Sequence, residues 1–358
     1  MNNIHIPKEV LEAFAIDDAA NVIVEPIGNG LINDSWKIST ANNKNLFLQR
    51  INKNVFQEPQ LVQANYIQLW KYARKENKGP LMPDPVFCNT QNSLHTDSSG
   101  NYWRAFHFIP ESKTCPVAET ATQAWATAKT FGQFTAAFSN MDTSRLHEVI
   151  SNFHNLSLRY RQFETSLQSR SVERLARASS LIADLMKREH YKTLYERIRT
   201  SPGEFPLRVM HHDAKISNIL FQERTGNVIC PVDYDTVMPG HYFSDLGDMI
   251  RSMVSPEDEK STHYENIEVR KDFYNSIVNG YLETMDDQLT STEKKHLHFS
   301  GILMTYMQAL RFLTDYLDGD TYYHIDYTEQ NFDRARNQFV LLQKLESFLT
   351  EEINFQHG

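Results

Sequence analysis

The sequence has few cysteines, no long hydrophobic run and no signal-like N-terminus. Its 3 cysteines, Cys88, Cys115 and Cys230, share no metal-like spacing, so we expect free thiols in a reducing compartment rather than disulfides or a zinc module. No apolar segment approaches the length of a membrane span, and the first residues lack the basic and apolar regions of a signal peptide. We therefore predict a cytoplasmic protein without a membrane partner.

An excess of basic residues is also missing. The net charge is −9 and no basic stripe runs along the chain, so nucleic acid is not an expected partner. The 358 residues are 41% hydrophobic and 23% charged, which is typical of a folded globular protein and sufficient for two lobes with their own cores. The composition leaves the oligomeric state open.

Apolar periodicity divides the chain into a strand-rich first part and a helical remainder. The first part contains predicted strands near 22–27, 35–38, 45–51, 85–88 and 102–109, and predicted helices at 8–14 and 60–74. After Pro110, spacings of three or four predict helices at about 125–138, 175–185, 263–285, 292–317 and 328–350. We predict an α+β fold with a small β-rich N-terminal lobe, residues 1–110, and a larger, mostly helical C-terminal lobe, residues 111–358.

Residues 211–235 carry the most specific chemical pattern. His211 to Asn218 fit H-x-D-x-K-x-x-N, and a predicted hairpin then leads to Asp233. Phosphoryl transfer needs one carboxylate for the attacking hydroxyl, a cation near the phosphate, and oxygen ligands for magnesium. Asp213 and Asn218 bracket a tight loop, and the hairpin brings Asp233 back towards Asn218. The alternative is a surface loop with an Asx-turn and a strand that ends in solvated acids.

A short glycine-containing loop precedes the second predicted strand. In Gly28-Asn29-Gly30 the glycines let backbone N–H groups approach phosphates closely, although such a loop is also an ordinary turn. We predict that this loop binds the nucleotide.

The third strand offers two candidates for the cation that normally contacts the nucleotide phosphates. Gln49 and Arg50 point to opposite faces of a strand, and the charge favours Arg50, whose alternative is a surface arginine. The following helix carries Gln63 and Asn65 where a glutamate partner is expected. The usual lysine–glutamate pair is therefore either absent or rebuilt.

Together these residues resemble the aminoglycoside phosphotransferase and choline kinase superfamily, and more closely its N-acetylhexosamine 1-kinases. The stretches that carry the resemblance are 28–34, 48–52, 211–240 and 311–320 with Tyr322, Tyr323 and 334–336. The resemblance implies a protein-kinase-like two-lobe fold and the following roles: Asp213 as catalytic base, Lys215 near the γ-phosphate, Asn218 and Asp233 as magnesium ligands assisted by Asp235, His211 as a structural brace, and Asp245 as the residue that fixes the catalytic loop.

Three positions have open alternatives. Asp245 also suits a helix N-cap. His212 stands where the superfamily usually has glycine, so its imidazole either touches substrate or points to solvent, and we expect solvent. His154 lies in a polar loop, where we expect a structural role.

The proposed acceptor site lies in the predicted helix that contains Arg311 and Asp315, which are four residues apart and share a face. They form either a surface ion pair or, with Tyr322 and Tyr323, a set that hydrogen-bonds and stacks on a sugar. We predict an ATP- and Mg²⁺-dependent kinase that phosphorylates the anomeric hydroxyl of an N-acetylhexosamine, either epimer. The alternatives are a kinase for an amino alcohol, aminoglycoside or homoserine, and a nucleotide-binding pseudokinase that acts as a scaffold.

Overall fold

The computed structural model describes residues 6–16, 22–27, 32–40, 45–76, 82–168 and 171–353. Its strands are β1 Ile23–Pro26, β2 Asp34–Ser39, β3 Asn45–Ile51, β4 Pro85–Val86, β5 His95–Thr96, β6 Tyr102–His107, β7 Ser112–Lys113, β8 Arg208–Met210, β9 Ile219–Gln222, β10 Val228–Pro231 and β11 Met238–Gly240. Its α-helices are α1 Lys8–Ala13, α2 Pro59–Glu76, α3 Ala121–Ala137, α4 Leu156–Ser166, α5 Val172–Met186, α6 His190–Thr200, α7 Phe243–Met253, α8 Lys271–Met285, α9 Ser291–Lys295, α10 Phe299–Leu317 and α11 Gln330–Glu352. The predicted nucleotide-binding residues Gly28, Asn29 and Gly30 lie outside the described residues.

The chain forms two compact units. Unit 1 comprises Met1–Lys113, Asn140–Ile150 and Leu220–Met238, and unit 2 comprises Thr114–Ser139, Ser151–Ile219 and Pro239–Gly358. Unit 1 is β-rich and unit 2 is mostly helical, which confirms the predicted α+β class. The first segment of unit 1 ends near the predicted boundary at residue 110, but two later segments also belong to this unit.

Unit 1 is built on an antiparallel sheet in the order β1-β2-β3-β6-β4, with β5 also paired to β6. On β3 the buried residues Leu46 and Leu48 join α1 in an apolar core on one face of the sheet. Gln49 points to the opposite face, where it lies across from Ser35 on β2 and Arg104 on β6. This register decides which polar side chain of β3 enters the interior of the unit.

In unit 2, helices α3 and α8 cross closely enough to require glycine at two positions. A Cβ atom on Gly280 of α8 would lie 2.4 Å from the carbonyl oxygen of Trp125 on α3. On α3, a Cβ atom on Gly132 would lie 2.3 Å from the Thr284 hydroxyl. The missing side chains thus let α3 and α8 approach backbone to backbone.

The predicted helices of unit 2 are partly correct. The helix predicted over 263–285 begins only at Lys271, because the Arg270 guanidinium donates to the carbonyls of Met253 and Ser255 and holds the preceding chain in another path. The helix predicted over 292–317 is two helices, α9 and α10. The predictions missed α4, α6 and α7. Within the described ranges, no helix is both long and apolar enough to cross a membrane, and the three cysteines are free thiols.

Candidate active site

A buried carboxylate on α7 anchors the loop that follows β8. Asp245, in the first turn of α7, accepts the backbone N–H of His211 on Oδ2 at 2.8 Å and that of His212 on Oδ1 at 2.7 Å. His211 is fully buried and its ring lies edge-on to Phe131, with centroids 5.0 Å apart. Asp245 is therefore a loop anchor within the helix rather than an N-cap.

Asp213 is held in one orientation by its neighbours in the loop. Its Oδ2 atom lies 2.9 Å from Lys215 Nζ and accepts the Asn218 side-chain N–H at 2.8 Å. Among the described residues, Oδ1 accepts no hydrogen bond. Burial opposes ionisation, but the Lys215 ammonium holds the pKa of Asp213 below its ordinary value. A partly exposed carboxylate is thus kept charged, with one oxygen available to a ligand.

Asn218 is oriented so that its amide oxygen is available. Its Nδ2 donates to both the carbonyl and the carboxylate of Asp213, and no described residue donates to its Oδ1. An amide oxygen and a carboxylate are hard oxygen ligands of the kind that Mg²⁺ prefers. Across the described ranges, no group of three or more His, Cys, Asp or Glu side chains could hold a metal ion. A cation here would therefore depend on mixed amide and carboxylate donors.

The expectation that His212 points to solvent is wrong. Its side chain is buried, its Nδ1 lies 3.2 Å from the carbonyl oxygen of Met210, and its ring packs against Gly240, where a Cβ atom would lie 2.3 Å from Nε2. The backbone of His212 has φ 62°, a left-handed conformation that glycine adopts more easily. The imidazole fills an interior space that the backbone turn opens.

Asp245 should give the stability of unit 2 a measurable pH dependence. Burial raises the pKa of Asp245 to about 7, although the backbone N–H groups of His211 and His212 act in the opposite direction. The folded state therefore binds a proton that the unfolded chain releases, and this group's contribution to the free energy of unfolding falls as the pH rises through 7.

We expect Asp245→Asn to lose less stability at pH 8 than at pH 5 when each is compared with the wild type, because the variant lacks the buried charge. Urea unfolding at both values measures the difference. A stability difference that is the same at pH 5 and pH 8 would show that the two N–H bonds keep Asp245 ionised throughout.

In unit 1, Gln49 rather than Arg50 faces the polar interior. Gln49 Oε1 accepts hydrogen bonds from Arg104 Nε at 3.0 Å and Nη2 at 2.8 Å, and its Nε2 donates to the Ser35 hydroxyl at 3.0 Å. Arg50 is on the other face, half exposed, and pairs with exposed Asp34. The charge-based preference for Arg50 therefore conflicts with the sheet register, because its guanidinium is already engaged at the outer surface.

A buried ion pair stands on the same side of the sheet as Gln49. Arg104 Nη2 donates to Asp235 Oδ1 at 2.5 Å, and Asn33 Nδ2 donates to Asp235 Oδ2 at 2.6 Å. Both side chains of the ion pair are only 3% exposed. Each oxygen of Asp235 is bonded to a protein donor, which weakens the prediction that Asp235 assists in binding magnesium.

Two further positions of unit 1 bear on the predicted metal site and on the expected ion pair: Asp233 and Asn65 of α2. Asp233 is exposed and its backbone has φ 62° and ψ 64°, a strained left-handed conformation of the kind found at functional sites. On α2, Asn65 takes the position that would suit a glutamate, but it donates to the carbonyls of His147 and Val237. Helix α2 therefore contributes an uncharged side chain that bonds two backbone carbonyls, and the buried ion pair is made by Arg104 and Asp235.

Two of the predicted acceptor residues, Tyr322 and Tyr323, lie around the guanidinium of a third, Arg311. The Cζ atom of Arg311 lies 5.3, 5.8 and 5.6 Å from the ring centroids of Phe153, Tyr322 and Tyr323. Among the described residues, its one hydrogen bond runs from Nη1 to Gln308 Oε1. Most of the guanidinium donors thus remain available within an aromatic surround.

Within unit 2, this cluster adjoins the loop that follows β8. Phe153 stacks on His154 at 4.5 Å, and the His154 ring lies 5.2 Å from that of His212. The pKa of His154 is well below its ordinary value because burial, with nearby His212 and Arg311, disfavours the imidazolium. His154 is therefore a neutral spacer between the loop and Arg311, which agrees with the structural role expected for it.

Asp315 does not pair with Arg311 and is not placed to bind a ligand. Its buried carboxylate accepts the backbone N–H groups of Thr321 and Tyr322 on Oδ1 and that of Tyr323 on Oδ2, which also accepts Asn331 Nδ2 at 2.9 Å. Four donors occupy its two oxygens. The surface ion pair with Arg311 is therefore not formed, and the four donors weaken the predicted sugar contact of Asp315, which shapes the loop that carries the two tyrosines.

Replacement of Asp315 should loosen this loop. In Asp315→Asn an NH₂ group faces backbone donors, so buried N–H groups lose their acceptor at a cost of about 1–3 kcal/mol each. We expect a lower free energy of unfolding by urea. Asp318→Asn, at an exposed position three residues later, is the matched control and should change stability by less than about 0.5 kcal/mol. Equal effects from both variants would contradict the anchoring role.

The sequence predictions missed Arg104, Phe153 and Gln308. Arg104 had a usable signal, because an arginine within the apolar strand Tyr102–His107 is seldom buried without a partner. Phe153 and Gln308 gave no distinct signal, since an aromatic residue in a loop and a glutamine on a helix are common.

Comparison with known proteins places this arrangement among phosphotransferases. Residues 23–273 match the family model described as "Phosphotransferase enzyme family". An aminoglycoside phosphotransferase from Alicyclobacillus acidocaldarius superposes with a TM-score of 0.64 at 13% identity, covering 97% of this chain and 95% of that one. The microcompartment-associated aminopropanol kinase gives 0.64 at 14% identity, covering 96% and 98%.

The amicoumacin kinase hAmiN, in complex with AMP-PNP, Ca²⁺ and Ami, gives a TM-score of 0.59 at 12% identity and covers 95% of this chain and 96% of that one. At such low identity these likenesses show a shared fold. The family match covers most of the chain, including the catalytic-loop motif, and on that ground the protein belongs to the phosphotransferase enzyme family, the aminoglycoside phosphotransferase and choline kinase group.

Proposed function

We propose that this phosphotransferase uses ATP to phosphorylate the anomeric hydroxyl of a neutral sugar, an N-acetylhexosamine. The observation that carries the choice of acceptor is the Arg311 guanidinium among the rings of Phe153, Tyr322 and Tyr323. An aromatic surround of this kind is what a choline-like cation requires. In this chain a protein cation already occupies it, so a second cation would be repelled, whereas hydroxyl and acetamido oxygens would find donors.

The acidic residues of the neighbouring loop support a neutral acceptor. Asp315 is saturated by four N–H donors. Asp320 is 3% exposed and binds Arg174 Nη1 through Oδ2 and Asn331 Nδ2 through Oδ1. Neither carboxylate is therefore available to neutralise an ammonium group on a substrate.

In the proposed reaction, Asp213 Oδ1 receives the hydrogen bond of the acceptor hydroxyl and Lys215 lies near the transferred phosphate. An anomeric hydroxyl is more acidic than an ordinary alcohol, so a carboxylate with a lowered pKa suffices as its base. The sequence motif is the ground on which we propose Asn218 and Asp233 as Mg²⁺ ligands. When bound, the ion would neutralise charge on the nucleotide phosphates. The AMP-PNP and Ca²⁺ bound to the amicoumacin kinase support a nucleotide and a divalent cation here.

The second candidate is a kinase for an amino alcohol or aminoglycoside. The similar fold of the aminopropanol kinase is consistent with it. The loop between α10 and α11, residues 318–329, which we call the tyrosine loop, also contains exposed Asp318 and Asp326, two carboxylates that an ammonium group could reach. This candidate predicts that the acceptor binds to those acids rather than to Arg311.

ADP release measured over a panel of acceptors tests the proposal. The panel contains N-acetylglucosamine, N-acetylgalactosamine, glucose, galactose, choline, aminopropanol, homoserine and an aminoglycoside. We expect turnover with the acetamido sugars, weaker turnover with the plain sugars, and a product whose phosphorus couples to the anomeric proton in NMR. Turnover with choline or aminopropanol alone would select the second candidate. Nucleotide binding without turnover of any acceptor would favour the pseudokinase.

A further inference from the structure

We infer that Arg104 is the cation of unit 1 that contacts the phosphates of the bound nucleotide, in place of the strand lysine that kinase folds normally use. The inference rests on the proposed function, because it presumes a nucleotide substrate. It concerns a residue on β6, one strand away from the position where the usual lysine is expected.

Burial and partners distinguish Arg104 from the other cations of the sheet. Its side chain is 3% exposed, and its Nε and Nη2 atoms are fixed by Gln49 Oε1 and Asp235 Oδ1. Among the described residues, Nη1 donates no hydrogen bond. The two N–H groups of Nη1 are therefore the donors of this guanidinium that an anionic oxygen of a ligand can accept.

The neutral residue on β3 is explained by the same arrangement. Gln49 lies directly across from Arg104 and uses its carbonyl oxygen to hold two N–H groups of the guanidinium. A lysine at position 49 would place a second positive charge beside Arg104. The positive charge is thus on β6 rather than on β3, and Gln49 of β3 supports it by accepting two hydrogen bonds.

The acidic partner of the cation also lies at a different position from the one that kinase folds normally use. In kinase folds the lysine pairs with a glutamate on the following helix, whereas here Asp235 pairs with Arg104 and Asn65 of α2 binds backbone carbonyls. Asp235 is in turn fixed by Asn33, which lies immediately before β2. Two residues, Gln49 and Asp235, therefore hold the guanidinium through Nε and Nη2, and this fixes the direction in which the Nη1 donors face a phosphate oxygen.

Arg50 supplies the matched comparison. It is the neighbour of Gln49 on β3, carries the same charge, and is half exposed in a pair with Asp34. If any cation near this strand were sufficient to attract a nucleotide, Arg50 would serve as well as Arg104. The geometry instead gives the two arginines separable roles.

The test uses calorimetric titration of the full chain with ADP and with adenosine, without any acceptor sugar. Titrations run in EDTA exclude a contribution from divalent cations, and parallel runs contain Mg²⁺. We expect Arg104→Gln to weaken ADP binding roughly ten- to a hundredfold, as for a lost charged hydrogen bond, while adenosine affinity changes less than about twofold. Arg50→Gln, the control, should leave both affinities near wild type.

A second variant keeps the test decisive if Arg104→Gln leaves Asp235 buried without its partner and fails to fold. Arg104→Gln combined with Asp235→Asn removes both charges, and Asp235→Asn alone keeps the cation. We expect the double variant to lose ADP affinity selectively and Asp235→Asn to retain it in EDTA.

The outcomes are distinct. Unchanged ADP affinity in a folded Arg104 variant, or an equal loss for ADP and adenosine, would overturn the role of Arg104 while leaving the proposed kinase function intact. A wild-type protein that binds neither ADP nor its magnesium complex would overturn the proposed function and this inference with it.

Discussion

Asp213→Asn should reduce kcat by roughly 10²–10⁴ while nucleotide affinity stays near that of the wild type. The factor is the usual cost of removing a general base. The structural reason is that Asp213 Oδ2 is held by Lys215 and Asn218, so that Oδ1 is the oxygen left for the acceptor hydroxyl. An asparagine keeps the shape of the side chain but cannot take up a proton at neutral pH. Steady-state kinetics and calorimetry with Mg-ATP measure the two quantities.

The result has a clear control within the same loop. Ser217→Ala alters a partly buried residue that follows the lysine but supplies neither the base nor the proposed metal ligand, and we expect it to keep kcat within about threefold. If Asp213→Asn retained more than a third of wild-type turnover, the assignment of the base would be wrong. A large loss of Mg-ATP affinity would instead make Asp213 a nucleotide or metal ligand.

Arg311→Ala should raise the KM for the sugar roughly ten- to a hundredfold and leave the KM for ATP nearly unchanged. A charged hydrogen bond to a ligand is worth about 1.5–3 kcal/mol, which gives this range if KM follows affinity. Arg311 has a single protein acceptor, Gln308, among the described residues. Its loss should therefore affect the ligand more than the fold.

Two further variants separate recognition from simple packing. Arg336 lies over the ring of Tyr264 at 4.3 Å and is exposed on α11, so Arg336→Ala removes a comparable arginine–aromatic contact and should leave both KM values unchanged. Arg311→Lys keeps the charge but not the fork, and should recover only part of the sugar affinity. A wild-type sugar KM in Arg311→Ala would remove the main support for a neutral sugar acceptor.

The arrangement of the loop that follows β8 was predictable because its contacts are local. Asp213, Lys215 and Asn218 lie within one turn of chain, and the hydrogen bonds that orient them run between these same residues. Which of the two β3 residues, Gln49 or Arg50, faces the polar side of the sheet was not predictable. Strand alternation separates Gln49 from Arg50, but the choice between faces depends on Arg104, which is 55 residues from Gln49 and 131 residues from Asp235. Such pairing depends on the assembled sheet.

For the acceptor residues Arg311 and Asp315, a local rule was available but led to the wrong pairing. The spacing of Arg311 and Asp315 satisfies a local helical rule, and the rule suggested that the two side chains act together. The chain after α10 instead turns back and directs three consecutive N–H groups at Asp315. Backbone donors fixed at short range outweigh an exposed ion pair, which is worth about 0.3–0.5 kcal/mol on a helix. Helical periodicity alone carries no information about where the following loop will go.

The anchoring of the tyrosine loop by Asp315 also bears on the entropy of acceptor binding. Because Tyr322 and Tyr323 are tied to α10 through their backbone N–H groups, the loop is ordered before any ligand arrives, and the cost of ordering it is met during folding. Acceptor binding should then show a small change in heat capacity and a fast, single-phase association. The protein would recognise its acceptor as a rigid surface rather than by closure of a loop.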